Sequence, residues 1–295
     1  MSMRKNLFKI FFISLFLGSL LFFNTQCGGS DSVERPTPPP QETPPPNPCK
    51  EPTIPESDNT CEKKSDLETV CTYNFEHSKQ GWEPGFSDYY FDAEQRLNLE
   101  SDYTPLPDSK FISTEKICSI KISGRNPHDD LFMYLKKKIS GLKPKQIYFV
   151  TFNIELASNY PNDVTGLVNK CGIDHTPICL KAGAALREPN KDLKMKMDKP
   201  FYIMNLDKGN QFSGGNNMMA IGGIVVNMPA QELCDGSNSN CQYKLIQRNN
   251  LGEPFKIEAD DNGEVWVIIG TDSGTNTDTK ETFYYNNIEL TFKKL

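Results

Sequence analysis

The stretch Ile147-Tyr-Phe-Val-Thr-Phe-Asn-Ile-Glu-Leu156 decides the fold class, because its side chains alternate with a period of two residues. An extended chain would place these large apolar residues on one face: Tyr148, Val150, Phe152 and Ile154. The other face includes the polar residues Thr151 and Asn153. Successive side chains of a strand point to opposite sides, so this pattern predicts a β-strand with one face in a core.

Similar short segments follow from about Cys71 onward, separated by turns rich in Gly, Pro, Asn and Asp. They predict strands at residues 73–75, 111–122, 131–139, 178–185, 201–205, 221–226, 243–247, 255–258, 265–270 and 283–292. Asn262-Gly263 predicts a two-residue hairpin between Ile257 and Val265. Many short strands with such turns predict an all-β fold, an antiparallel β-sandwich of the jelly-roll type.

The N-terminus has the order of a secretory signal peptide. Arg4 and Lys5 precede an apolar run at residues 10–23, and Cys27 follows four residues after it. The run is shorter than the roughly 20 apolar residues that a membrane-spanning helix needs. Removing residues 1–27 removes three basic residues and no acid, which takes the net charge from −6 to −9. An acidic chain does not attract nucleic acid, so no nucleic-acid partner is expected.

A cysteine at the end of a signal, followed by residues 28–30 (Gly-Gly-Ser), resembles the signal of bacterial lipoproteins, in which the cysteine is lipidated. Asn24 and Gln26 depart from the usual leucine and small residue, and spirochaete lipoproteins are similar in being this relaxed. The resemblance implies lipidation at Cys27 and a membrane partner through the lipid anchor. Since Gly28 is not Asp, it also implies the bacterial outer membrane or cell surface. The alternative is an ordinary cleaved signal.

Residues 28–68 are predicted to form a disordered spacer, which places the β-sandwich at residues 69–295. Ten prolines fall between Pro36 and Pro55. Such a segment adopts an extended polyproline II helix at about 3.1 Å per residue, so about twenty residues give a stalk of roughly 60 Å. The spacer would hold the sandwich away from a membrane.

Eight cysteines remain if the one in the signal carries lipid, and an even number in an exported protein predicts disulfides. Cys171 and Cys179, and likewise Cys234 and Cys241, bracket short loops and are predicted to pair. The pairing of the others stays open: Cys49, Cys61, Cys71 and Cys118. Cys171-x3-His175-x3-Cys179 also offers zinc ligands, but a fourth ligand is missing and an exported protein favours the disulfide.

Three segments resemble galactose-binding-like jelly rolls, which include carbohydrate-binding modules. Tyr73-Asn-Phe-Glu-His-Ser-Lys-Gln-Gly-Trp82 resembles their opening strand, residues 139–152 their central turn and strand, and residues 284–292 their closing strand. The order is that of the family, and the resemblance spans most of residues 71–295. The whole domain also resembles a group of exported bacterial proteins of uncharacterised activity.

This resemblance implies a structural calcium ion near the first and last strands, with Glu76, Asn287 and Glu289 as candidate ligands by position. Calcium takes six to eight oxygen ligands, and these three residues supply only part of that set. No other cofactor is assigned.

Two polar turns are candidates for a ligand site, because amide, carboxylate and cationic groups match the hydroxyls of a sugar. The candidate residues are Arg125, His128, Asp129 and Asp130 in the first turn, Asp207, Lys208, Asn210 and Gln211 in the second, and Asp272 after the strand at 265–270. Trp82, Phe86, Tyr89 and Tyr90 could supply a stacking platform, although Trp82 fits the core better. The alternative for each turn is that its side chains satisfy their own backbone.

These features favour a lipid-anchored envelope or surface protein that binds carbohydrate. One alternative is a structural lipoprotein that contacts host or envelope proteins, which an exposed apolar patch would favour. A further alternative is an enzyme acting on polysaccharide through paired carboxylates such as Asp129 and Asp272. Residues 272–275 (Asp-Ser-Gly-Thr) resemble half of an aspartic protease site, but the matching half is missing from the sequence. No catalytic residue is assigned.

Overall fold

The computed structural model describes residues 48–51, 61–113, 117–162, 171, 177–234, 241–275 and 277–295. Residues 1–27 with Cys27, most of the spacer and His175 lie outside these ranges, so the predictions made for them stay predictions. The strands are β1 (Cys61–Ser65), β2 (Glu68–Tyr73), β3 (Glu83–Ser87), β4 (Tyr89–Tyr90), β5 (Glu100–Pro105), β6 (Cys118–Asn126), β7 (Phe132–Ile139), β8 (Ile147–Ser158), β9 (Ile178–Ala185), β10 (Lys191–Lys196), β11 (Lys199–Met204), β12 (Met218–Gly223), β13 (Lys244–Asn249), β14 (Phe255–Glu258), β15 (Val265–Ser273) and β16 (Thr277–Lys294).

Helical structure is confined to a 3₁₀ turn at Phe91–Ala93 and the short helices α1 (Glu94–Leu97) and α2 (Ala230–Leu233) within the described ranges. None of the helices found there is long and apolar enough to cross a membrane.

The first sheet is built around β16, the longest strand of the described chain. One edge of β16 pairs with β8, and the other pairs with β6 and then with β2. β5 and β1 extend the sheet from β6 and β2, while β13 and β14 add to the far edge of β8. Every one of these pairs is antiparallel.

The second sheet has the strand order β12-β9-β15-β7-β3, also antiparallel throughout. A small third sheet, β10-β11-β4, is a hairpin joined to the two-residue strand before the 3₁₀ turn. The chain crosses repeatedly between the first two sheets, as in a jelly roll. The predicted antiparallel β-sandwich is therefore confirmed.

The core lies between the first two sheets, as the alternation in β8 predicts. Phe152 and Ile154 on β8 are fully buried, and so are Val267 and Ile269 on β15. Burying one such side chain contributes about 1.5–3 kcal/mol relative to leaving it exposed. Trp82 is 1 % exposed and its ring lies 5.5 Å from that of Tyr73, so it belongs to the core as expected.

Four disulfides join the described cysteines. The predicted Cys171–Cys179 and Cys234–Cys241 bonds are confirmed, and the sulfurs of the first pair are therefore not zinc ligands. The pairs that the sequence left open are Cys49–Cys118 and Cys61–Cys71. The latter links β1 to β2 at directly opposed positions.

The sheets begin before residue 69, because the polar segment at Cys61–Ser65 pairs with β2 instead of continuing the spacer. β3, β5 and β10 were not predicted either, since each mixes polar residues, Gly or Pro into a short strand. The predicted strand at 111–122 starts only at Cys118. Its first residues instead form a turn in which the Phe111 amide donates to Ser109 Oγ at 3.2 Å.

The hairpin predicted at Asn262-Gly263 is wrong. A turn does form there, but β14 pairs with β8 in the first sheet and β15 pairs with β7 and β9 in the second. Asp260 Oδ1 accepts the amides of Asn262 at 2.9 Å and Glu264 at 2.8 Å, which closes a wider polar loop. The turn therefore carries the chain from one sheet to the other.

Candidate functional site

The second sheet has an outer face that points away from the core. On β15 the residues Val265, Val267 and Ile269 belong to the core, so the alternate positions lie on the outer face. These outer positions of β15 are Trp266, Ile268, Gly270 and Asp272. Residues 204–218 pack over one part of this face, which we call the covered half. The part around Trp266 lies outside that cover, and we call it the open half.

The covered half is a second, smaller apolar cluster. Phe132 and Tyr134 of β7 stack with ring centroids 5.6 Å apart and planes at 19°. They pack with these residues of the sheet and its cover: Ala185, Met204, Leu206, Met218 and Ile268. A Cβ at Gly85 would lie 2.3 Å from the Tyr134 ring, and one at Gly270 would lie 2.7 Å from the Phe132 ring. Glycine at these two positions lets both aromatic rings lie flat on the sheet.

A buried ion cluster fastens the cover to this half of the sheet. Asp272 Oδ2 accepts hydrogen bonds from the ammonium groups of Lys181 and Lys208, each at 2.7 Å. The side chains of Asp272 and Lys181 are 0 % exposed. Lys181 Nζ also donates to the backbone oxygens of Lys208, at 3.0 Å, and of Asn210. Since every proton of the Lys181 ammonium has an acceptor, this residue joins the second sheet to the loop that follows β11.

Lys208 connects Asp272 to a second buried carboxylate, Asp88, at 3.8 Å. Burial raises the pKa of the Asp88 carboxyl, and the ammonium of Lys208 opposes that shift. Burial alone would lower the pKa of Lys208, but the carboxylates of Asp272 and Asp88 raise it. We infer that Lys208 stays protonated, because a charged group between two acids is stabilised by both.

The second predicted ligand turn is largely used by its own backbone. Asp207 accepts the amides of Gly209 at 3.1 Å and Asn216 at 2.9 Å. These bonds lower the pKa of Asp207. Asn210 Oδ1 accepts the amides of Phe212 at 3.0 Å and Ser213 at 2.9 Å. The alternative that these side chains satisfy their own loop is the one that the geometry favours.

The two predicted turns do meet. Gln211 Nε2 donates to the backbone oxygen of Asp129, and Asn126 Nδ2 donates to that of Ser273 at 2.9 Å. Asn126 Oδ1 in turn accepts the amides of Asp130 and Leu131, both at 3.1 Å. Asp272 is enclosed and bound by two lysines, so it cannot act as the accessible carboxylate of a polysaccharide-cleaving pair.

The remaining residues of the first turn lie beside an aromatic corner. The ring of Tyr90 is 5.7 Å from that of His128 and 5.0 Å from that of Phe201. Lys196 Nζ lies 2.8 Å from Asp130 Oδ2. Arg125 is exposed on β6. Of the predicted stacking residues, Trp82 and Tyr89 are buried, whereas Phe86 and Tyr90 are both partly buried and packed against the core.

Trp266 lies in the open half, where solvent reaches part of its indole ring. Its neighbours in register are Lys138 on β7 and the small Ala185 on β9. The ammonium groups of Lys136 and Lys138 lie 5.6 and 5.5 Å from the centroid of the indole ring.

Carboxylates surround these two lysines. Lys136 Nζ lies 2.5 Å from Glu188 and 3.8 Å from Glu83, and Lys138 Nζ lies 3.2 Å from Glu264. The open half is therefore a partly exposed indole with the ammonium groups of two lysines over its ring and their carboxylate partners at its border.

Sequence reasoning missed Trp266. The run Val265-Trp-Val-Ile-Ile269 is apolar at every position, which is typical of a strand covered on both faces. The cover over the outer face stops at Ile268, and nothing in the run marks that limit.

The calcium candidates do not meet as a cluster of carboxylates. Glu76 is exposed and lies 3.9 Å from His77. Asn287 Oδ1 is buried without a hydrogen-bond partner among the residues the structure describes. Across those same ranges there is no group of three or more His, Cys, Asp or Glu side chains that could hold a metal ion. Calcium binding stays a prediction.

A shallow cavity of about 290 Å³ opens elsewhere, between the edge strands β3 and β5. It is lined by Cys49, Glu51, Lys79, Pro84, Ser101, Asp102, Tyr103 and Ile120. The one aromatic ring in this lining, that of Tyr103, belongs to a residue that is 6 % exposed. The cavity thus lacks the accessible ring that the open half has.

No protein-family model and no curated protein matches the sequence. Among solved structures, the chain is similar to the carbohydrate-binding module TmCBM27, described for specific mannan recognition. The identity is 12 % and the TM-score 0.30, over 77 % of this chain and 99 % of that chain. It is also similar to Caldicellulosiruptor saccharolyticus CBM27-1 in complex with mannohexaose, at 9 % identity and TM-score 0.27, over 70 % and 96 % of the two chains.

A third similar structure is the enzymatically active domain of bacteriophage CBA120 tailspike protein 4. Its identity is 8 % and its TM-score 0.28, over 73 % of this chain and 19 % of that chain. The chain thus spans about a fifth of the length of that tailspike domain. These matches assign no family. At TM-scores near 0.3 the likeness carries no argument about the ligand.

Proposed function

We propose that the protein is a lipid-anchored protein of the bacterial outer membrane or cell surface whose β-sandwich binds carbohydrate at the open half of the outer face. The observation that carries the carbohydrate part is Trp266, a partly exposed indole surrounded by lysine and glutamate side chains. The lipid anchor and the location are supported by the signal-like segment ending at Cys27 and by the proline-rich spacer after it.

An indole ring offers a large, rigid apolar face with two χ angles to fix, so stacking on it costs little conformational entropy. The apolar C–H face of a sugar ring can lie on such a surface. Its hydroxyl groups then need partners at the border, which Glu188, Glu264 and Lys138 supply as acceptors and donors. The mixed signs of these charges fit a neutral polysaccharide better than a strongly charged one.

The test uses tryptophan fluorescence, because the sequence contains only two tryptophans and Trp82 is buried in the core. We expect neutral oligosaccharides that score on a glycan array to change the emission of the full chain on titration. Trp266→Ala lacks the reporting indole, so its affinity is measured by titration calorimetry. This variant should bind at least tenfold more weakly, or by about 1.4 kcal/mol, since it loses the stacking surface.

Tyr90→Ala is the matched control, because it removes a partly exposed aromatic residue of the predicted platform and leaves the open half intact. Its affinity should stay within twofold of the parent chain. Unchanged binding by Trp266→Ala, with binding lost in Tyr90→Ala, would move the site to the aromatic corner. An array without signal from a folded sample would contradict carbohydrate binding altogether.

A further inference from the structure

One face of the β10–β11 hairpin is apolar and is exposed near the turn, whereas Tyr202 further along the same face packs against the core. Its register places Leu193 opposite Tyr202 and Met195 opposite Pro200, so these four side chains share a face. Leu193 is 56 % exposed and Met195 is 68 % exposed. Phe91, 51 % exposed, extends this face with its ring 5.7 Å from that of Tyr202.

The opposite face of the same hairpin is basic. Lys194, Lys196 and Lys199 lie on it, and they share it with Asp192 and with the buried Phe201. Lys196 is bound to Asp130, but in the described ranges no carboxylate lies within ion-pair distance of Lys194 or Lys199. The whole chain carries a net charge of −6, so this basic face is a local exception.

The turn at the tip of the hairpin carries an exposed apolar residue, although its backbone conformation favours Asn, Asp or Gly. Met197 and Asp198 form the two-residue turn, with φ values of +50° and +61°. Turns with two positive φ values prefer Asn-Gly or Asp-Gly, because a larger side chain is strained in that conformation. Met197 nevertheless occupies the first position and is 84 % exposed. The turn conformation does not account for a methionine at this position. A contact between the tip and another apolar surface would account for it.

We propose that the β10–β11 hairpin docks on an acidic membrane surface, with Met195, Met197 and Leu193 entering the interfacial region and Lys194 and Lys199 facing the acidic headgroups. An interface of this kind takes up apolar side chains to a depth of about 5–10 Å while lysines above them attract anionic lipid. The proposal does not depend on carbohydrate binding at Trp266.

A lipid surface explains the exposed residues of the hairpin better than a protein partner or a soluble polyanion does. A protein partner of standard size covers roughly 800 Å² on each side, whereas this apolar face is one hairpin wide. Lysines on an edge strand can prevent aggregation, but that role needs no exposed methionine beside them. A soluble polyanion would bind the lysines alone.

The test places a fluorophore at the tip of the full chain. We expect the emission of M197W to shift to shorter wavelength with vesicles of phosphatidylcholine and phosphatidylglycerol, and not with phosphatidylcholine alone. L251W is the matched control, since Leu251 is a 70 % exposed residue on a different turn, and its emission should not shift.

Three further substitutions made in the M197W chain separate the contributions of the two faces. K194Q and K199Q should each weaken vesicle binding by about fivefold, because a lysine near an acidic surface contributes roughly that factor. M195E should abolish the shift while leaving the unfolding midpoint unchanged, since Met195 is exposed.

Three outcomes would overturn the proposal: no shift of M197W, an equal shift on neutral vesicles, or vesicle binding insensitive to M195E. Sedimentation velocity tests whether the hairpin binds a second copy of the protein instead of a membrane. Association of the parent chain that disappears in M195E would assign the hairpin to a second copy of the protein instead.

Discussion

The two halves of the outer face use the same residue types for opposite purposes. Both place a lysine beside an aromatic ring: Lys208 near Phe132 in the covered half and Lys138 near Trp266 in the open half. In the covered half the lysines converge on the buried Asp272, whereas in the open half they meet glutamates that are partly exposed to solvent. Burial therefore decides whether this combination holds the fold together or remains available to a ligand.

The largest effect expected from this difference is on stability. Asp272→Ala leaves two ammonium groups in a buried site without their carboxylate, and breaking a buried ion pair in this way costs about 3–5 kcal/mol. Chemical denaturation of the variant should show that loss in the free energy of unfolding. A loss below 1 kcal/mol would mean that water enters the cluster and that the two halves differ less than their burial indicates.

Much of the fold could be predicted, because the apolar alternation on which it depends is local. β8, β9 and β14 follow from runs of apolar or alternating residues, and their bounds match closely. β3 and β10 were missed because each is held by its neighbours and not by its own propensity. Asn262-Gly263 formed a turn, but which sheet each flanking strand joins depends on packing far away in the sequence.

The candidate site was predicted less well for a related reason. The polar turns around Asp129 and Lys208 do come together, but the sequence cannot show that Asp272 and Lys181 would enclose their charges. Whether a polar residue faces solvent or a buried partner depends on what covers it. Trp266 was missed for the converse reason, since its apolar strand looks buried on both faces.

A third carboxylate, that of Glu281, extends the comparison, because in the described part of the chain it has no ammonium partner. Glu281 Oε1 accepts hydrogen bonds from the hydroxyls of Ser273, at 3.0 Å, and Thr275. Its Oε2 is buried and unbonded among the described residues, although part of the side chain reaches solvent. Burial raises the pKa of Glu281 from 4.5 to about 7, against the effect of the two hydroxyls.

The sign of the resulting pH dependence follows from linkage. The folded state holds the Glu281 proton more tightly than the unfolded state, so the contribution of Glu281 to stability is highest below pH 4.5 and falls as the pH rises towards 7. The loss over that window is about 3 kcal/mol, since one pKa unit corresponds to about 1.4 kcal/mol. Glu281→Gln should remove this slope in denaturation curves measured across the window. A slope that persists in the variant would assign it to another group.

The smallest effect belongs to the border of the open half. Lys138 and Glu264 are 46 % and 29 % exposed, and an exposed ion pair of this kind contributes about 0–1 kcal/mol. Lys138→Ala should therefore change the free energy of unfolding by less than 1 kcal/mol, and that small change should shrink further in added salt. The free energies of unfolding of Lys138→Ala and Asp272→Ala then compare two sites. In one, a lysine lies beside a partly exposed aromatic ring, and in the other, lysines are bound to a buried carboxylate. A loss as large as that of Asp272→Ala would show that Lys138 supports the sheet through its contact with Trp266, and the open half would then be part of the scaffold and not a free surface.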